Sequence, residues 1–293
     1  MRRMKRRVAW LMLAAVLTGL AGTRAAAAEL VATVNSTPYN GYARVKQADG
    51  TFKPESYILG QGRFLRGQTQ DPSIEGVPFL KLVQTLAPYL ARQNYLPARG
   101  PAQTDLIIVV HWGTTMPYDD STYGTAVDSL QRAQTSDATA EASPGQQSSD
   151  LTGALMEIQM ENRQRSLADA RNAALLGYQR DMDRYGDLAR LSAFGSHYHD
   201  LVSEVEEDRY FVILAAYDYG AIAKEKKRKL LWITRVSINV RGNRFDEQMA
   251  GMFAIAAQYF GADTRGLVRQ PVPEGKVKVG EPKVIGIEPE TRK

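Results

Sequence analysis

The sequence predicts an α+β fold: a mixed sheet built from a strand-helix-strand unit plus a C-terminal hairpin and helix, with a long helical insertion. Three stretches carry that expectation. Phe79, Leu82, Val83, Leu86 and Leu90 recur at helical spacing and lead toward the unbroken apolar run Leu106–Val110. Arg209–Tyr217 and Leu230–Val240 read as the two arms of a hairpin. Phe245, Met249, Met252, Phe253, Ala256 and Phe260 then follow a period of 3.6 residues.

Residues 1–28 read as a secretory signal peptide. Arg2, Arg3, Lys5, Arg6 and Arg7 form a basic head, Val8–Gly22 is apolar, and Ala26-Ala27-Ala28 offers a small-residue cleavage site before Glu29. An uncleaved anchor would need about 20 apolar residues, and this run is shorter. Cleavage near Ala28 predicts a periplasmic or secreted protein with no transmembrane span in the mature chain. It also changes the charge. The chain has 37 Lys+Arg and 32 Asp+Glu, and the signal holds six of the basic residues and no acidic one. The remainder therefore carries 31 against 32, a net −1. The high pI belongs to the signal and gives no support for nucleic-acid binding. Cysteine is absent, which excludes disulfides, thiolate metal sites, a cysteine nucleophile and an N-terminal lipid anchor. The chain is long enough to bury a core without such staples.

Residues 29–113 form the first half of the predicted domain. Glu29–Val34 is a first strand and Asn35–Lys53 a polar loop. Tyr57–Leu65 is a strand whose Gly60 and Gly62 mark a bulge or a close backbone approach. Their spacing misses the dinucleotide-binding fingerprint. Pro78 suits a first helical turn, and Pro88 kinks the helix or begins its last turn. Leu106–Val110 lacks alternation, as expected of a strand buried on both faces and parallel to Tyr57–Leu65.

Residues 114–207 are the insertion. Its first part is polar, and Gln131–Asp150 approaches the composition of a disordered segment. From Leu151 to Leu191 helical spacing returns, as one long helix or two with a break. Leu175, Tyr178, Met182, Tyr185 and Ala189 form an apolar stripe that packs either on its own domain or on a partner.

Residues 208–261 complete the domain. Leu230, Trp232, Thr234, Val236, Ile238 and Val240 share one strand face, while the other face turns polar toward its end. Asn243 is the expected N-cap of the last helix and Gly261 its left-handed C-terminal cap. Residues 262–293, with Pro271, Pro273, Pro282 and Pro289, read as an extended tail.

This plan resembles a set of bacterial cell-envelope α+β domains, many of them lipoproteins. The resemblance rests on the passage ending Asp105–Val110 and on Leu231-Trp232-Ile233-Thr234-Arg235 before a capped helix, and covers residues 57–113 and 208–261. It implies an envelope location and no particular activity. The lipid-anchoring cysteine of such proteins is missing here.

Candidate chemistry is sparse. His111, His197 and His199 are the three histidines; with Asp200 nearby they could bind zinc or copper if brought together, although i and i+2 diverge on a helix. Glu204, Glu206, Glu207 and Asp208 cluster before the hairpin. Lys224, Lys226, Lys227, Arg228 and Lys229 lie in the hairpin connection, either as a solubilising turn or as a contact for anionic lipid headgroups. The expectation is an exported, non-catalytic binding or structural protein without a cofactor, acting on an envelope protein or surface. A metal-dependent hydrolase using the histidines is the alternative.

Overall fold

A computed structural model describes residues 30–138, 144–189 and 195–273. The signal segment and the end of the tail lie outside them. The strands are β1 (Val31–Pro38), β2 (Glu55–Leu65), β3 (Tyr95–Pro97), β4 (Leu106–Thr114), β5 (Arg209–Asp218), β6 (Leu230–Asn239) and β7 (Val268–Pro271). They form one mixed sheet in the order β3-β2-β4-β5-β6-β1-β7. β2 runs parallel to both β3 and β4, and every other pairing is antiparallel. The helices are α1 (Pro72–Glu75), α2 (Phe79–Arg92), α3 (Tyr123–Ala138), α4 (Pro144–Leu176), α5 (Gln179–Ala189), α6 (Gly195–Glu206), α7 (Tyr219–Glu225) and α8 (Phe245–Ala256). The α+β expectation holds, including the parallel β2–α2–β4 unit, the β5–β6 hairpin and the helical insertion.

One face of the sheet is sealed. Leu82, Leu86 and Leu90 of α2 and Met249, Met252, Phe253 and Ala256 of α8 pack on alternate residues of the strands, among them Ile108, Val110, Val212, Leu214, Trp232 and Val236. Each of these larger side chains contributes roughly 1.5–3 kcal/mol by leaving water. Pro88 lies inside α2, where it begins the last turn. Arg44 ties the 39–53 loop to this edge. Its guanidinium lies between the rings of Phe52 and Tyr95, at 4.2 and 4.1 Å, and 3.7 Å from Glu55.

Among the described residues the other face is covered at one end only. α4 and α5 meet at Gly177, whose φ of +83° suits glycine and whose place against the Asn35 side chain leaves no room for a Cβ. Just beyond it, Tyr178 is fully buried with Leu176, Leu201, Val205 and Phe211, and Met182 and Tyr185 pack at the margin. The stripe on the insertion thus packs on its own domain. A polar layer lies beneath. Buried Arg209 donates to Ser237 Oγ at 3.2 Å and Thr33 Oγ1 at 3.3 Å, and Glu204 accepts from Tyr178 and, at 2.9 Å, from Arg269.

Five expectations need correction. β4 is not buried on both faces: Leu106, Ile108, Val110 and Trp112 are buried, whereas Ile107, Val109 and His111 are half-buried. Residues 131–138 are helical, because Ala126 and Ala133 of α3 make a small-residue seam facing α4, where Ala154 is also buried. The tail contributes a strand, β7, on the outer edge of β1, where prolines at the strand end remove no ladder bond. Asn243 does not cap α8. Its amide donates to the carbonyls of Asn239 and Arg241, while the Phe245 N–H is taken by Ser73 Oγ of α1 at 3.1 Å. Gly261 is left-handed, at φ +71°, but lies beyond the 3-10 turn Ala257–Tyr259 and does not cap α8, whose C-cap is Ala257.

Ser73 is buried and also shares a hydrogen bond with the Tyr210 hydroxyl at 3.2 Å. Replacing it with Ala strands the Phe245 N–H, while the Tyr210 hydroxyl keeps its bond to Asp71, and should cost about 1–2 kcal/mol in urea unfolding. Asn243→Ala should cost less. The reverse order would contradict this assignment of the cap.

Candidate functional site

The three histidines do not form a metal centre. His111 sits on β4 beside the bulge of β2, where its Nδ1 accepts the Arg63 N–H at 2.9 Å. Gly62 there approaches so closely that a Cβ would lie 2.6 Å from that nitrogen, which accounts for the glycine. Burial, followed by the Arg63 charge, holds the His111 pKa below its usual value. His197 and His199 lie on α6 rather than in a loop, so their side chains diverge. His197 packs edge-on to Tyr185, with ring centroids 4.3 Å apart. Among the described residues no three His, Cys, Asp or Glu side chains are grouped to hold a metal ion. Two members of the acidic cluster are also engaged: Glu204 in the polar layer, and Glu207 with Arg209 at 3.7 Å and Asn239 at 2.6 Å.

The basic connection follows α7 at one end of the sheet. Lys227 pairs with Glu225 and Lys229 with Asp218, each at 3.8 Å. Lys224, Lys227, Arg228 and Lys229 line an open recess of about 590 Å³ together with Asn40 and Gly220. Lys226 takes the left-handed conformation at φ +58° and turns the chain out of α7.

A second recess, about 440 Å³, lies between the segment leading into α3 and the middle of α4, lined by Gln68, Tyr118, Thr122, Gln164, Leu167 and Arg171. Near this recess Arg165 pairs with Asp120 and lies 5.1 Å from the Tyr123 ring centroid. Asp169 has one buried oxygen without a hydrogen-bond partner. Burial first, then the charges of Glu206 and Asp120 against the opposing Arg165, push its pKa from 3.8 to about 6.

The most extensive candidate is the uncovered part of the sheet. Strand register arranges it in rows. Ile58, Ile107, Tyr217 and Leu230 form the row nearest the basic connection; Gly60, Val109, Ala215, Ile233 and Thr37 form the next. His111, Ile213, Arg235 and Asn35 follow, and beyond them Phe211, Ser237 and Thr33 pass under the insertion helices. Ile58, Ile107, Val109, Ile213, Tyr217 and Ile233 are all half-buried, although their neighbours on the sealed face are largely buried. Arg235 stands among them. Its Nη1 donates to Asn35 Oδ1 at 3.4 Å, its Nε is buried without a partner, and no described carboxylate forms an ion pair with it. Burial lowers its pKa, against the raising influence of Tyr39.

In the sequence Arg235 lies on the strand face that becomes polar. The available signal was an arginine alternating with Ile233 and Ser237, a cation on an otherwise apolar face. Compared with known proteins, the chain matches no family profile and no curated relative. No described helix is long and apolar enough to cross a membrane.

Asp169 sets a pH dependence. A carboxyl whose folded pKa is raised stabilises the fold fully below its ordinary 3.8, and that contribution is lost as pH rises through about 6. Asp169→Asn should therefore raise the melting temperature near neutral pH, and the gain should vanish on acidification below that ordinary value. An equal shift at both pH values would contradict the assignment.

Proposed function

We propose that the protein is exported to the cell envelope and works there by binding, with the open sheet face and its basic end meeting an anionic component. One observation carries this reading. The strands that are sealed by α2 and α8 on one side keep half-exposed aliphatic residues on the other, around a guanidinium without an acidic partner. An apolar surface of this kind marks an interaction site, and a desolvated charge calls for an opposite one. The basic connection adds long-range attraction for the same sign of ligand. The N-terminal basic and apolar pattern, together with the resemblance to envelope domains, supports export.

Catalysis has less support. In the acidic cluster Glu204 joins the insertion to Arg269 of the sheet and Glu207 pairs with Arg209, while His111 lies on β4, apart from His197 and His199 on α6. A hydrolase would need a reactive constellation that the described residues do not assemble.

Cosedimentation tests the binding reading. The protein should partition onto vesicles containing phosphatidylglycerol and not onto pure phosphatidylcholine, and salt should release it. Each of Lys224→Ala and Arg228→Ala should weaken partitioning by about 1 kcal/mol, roughly fivefold. Equal binding to neutral vesicles, or none to either, would refute this reading. Intact mass of the chain recovered from the envelope, beginning near Glu29, checks export; a retained Met1 would refute it.

A further inference from the structure

α3 has α4 as its principal neighbour, and the two form a helical arm in which α4, at 33 residues, is about 50 Å long. Among the described residues between Tyr123 and Leu167 only Ala126, Ala133 and Ala154 are buried. Helices take most of their stability from packing an apolar face, and alanines bury little area. One side of α4 meets α3 and the segment leading into it. Ala154 and Ala168 are buried there, Glu161 accepts from Thr122 Oγ1 at 3.2 Å, and Arg165 pairs with Asp120. The opposite side carries Gly153, Met156, Met160, Arg163, Leu167 and Ala170, all exposed. Met156, Met160 and Leu167 are 64, 62 and 63 % exposed, among the most exposed large apolar side chains of the described residues. The intervals alternate strictly between three and four residues, the repeat of a helix that packs lengthwise on a second helix.

We propose that this stripe pairs with the same stripe of a second copy of the chain, the two α4 helices running antiparallel about a two-fold axis near Glu161. A two-fold contact is isologous, so the surface must complement itself. Turned end for end, the stripe sets Met160 against Arg163 of the second copy, Met156 against Leu167 and Gly153 against Ala170. The flanking positions then bring Glu157 beside Arg171 of the second copy, twice over. Helical side chains lean toward the N-terminus of their own helix, and in the antiparallel pair that carries these two charges toward one another.

Other occupants fit the stripe less well. A parallel pair would set Arg163 against its own copy and leave no acidic residue beside Arg171. A membrane surface needs a broad apolar face. This stripe is narrow, with exposed Glu157 and Gln164 on one flank, exposed Gln159 and Ser166 on the other, and Arg163 within it. The contact uses none of the residues of the open sheet face, so it stands or falls apart from the binding reading.

Sedimentation equilibrium of the purified protein over a dilution series tests this pairing. A monomer–dimer equilibrium should appear. Met160→Lys should abolish the dimer by facing Arg163 of the second copy with a like charge, and should leave the circular dichroism of the monomer unchanged, since Met160 already meets water there. Glu157→Lys and Arg171→Glu should each weaken the dimer about tenfold, because each removes two exposed ion pairs. The double variant carrying both should recover it. Orientation is read with cysteine, which the chain lacks. Under mild oxidation the Met156→Cys and Leu167→Cys variants should form a disulfide with each other when mixed, and neither should form one alone. Each variant crosslinking with itself would overturn the antiparallel pairing. A monomer at every concentration, a dimer that survives Met160→Lys, or a charge swap that recovers nothing would each overturn the proposal as a whole.

Discussion

The sheet presents two apolar faces, and its covering helices seal only one of them. The strand-helix-strand unit and the hairpin place large aliphatic side chains on alternate positions of β2, β4, β5 and β6, so both sides of the central strands need cover. α2 and α8 lie on the same side and bury it thoroughly, with Leu82, Leu86, Leu90, Met252 and Phe253 inaccessible to water. What happens on the reverse side depends on the insertion. Its helices reach Phe211 and the polar layer around Arg209, and stop short of Val109 and Ile233.

The contact that fixes where this cover ends is local. Gly177 allows α4 to turn into α5 directly against Asn35 of β1, and Tyr178 then fills the space above Phe211. Arg209, Glu204 and Arg269 tie the same place together with charge-assisted hydrogen bonds, which supply orientation more than net stability. Asn35 takes part on both sides of the boundary. It packs against Gly177 and accepts a hydrogen bond from Arg235. The edge of the cover and Arg235, which has no acidic partner among the described residues, are therefore adjacent.

Much of the architecture was legible in the sequence because it is written in large apolar residues at regular spacing. That holds for α2, β5, β6 and α8, and for the Tyr178 stripe. α3 has the pattern of a polar chain because its buried residues are Ala126 and Ala133, which carry little weight in a hydrophobic pattern. β3 and β7 are edge strands of three and four residues, too short to show a period. The cap of α8 comes from Ser73, 172 residues away in the chain, and no local motif can show such a partner. The unbroken run Leu106–Val110 did announce two apolar faces. Whether helices exist to cover both is a property of topology, so the open face and the meaning of Arg235 emerged only with the fold.

The absence of cysteine makes the central claim directly measurable. Single cysteines can be introduced at Val109 and Ile233 on the open face, and at Ile108 and Val236 on the sealed face of the same strands. The rate of maleimide labelling in the folded protein then reads access at each position. The account predicts that the Val109→Cys and Ile233→Cys variants label in the native state, whereas Ile108→Cys and Val236→Cys label only after denaturant unfolds the sheet. Protection of all four to the same degree would mean that the second face is covered, and the binding surface described here would not exist.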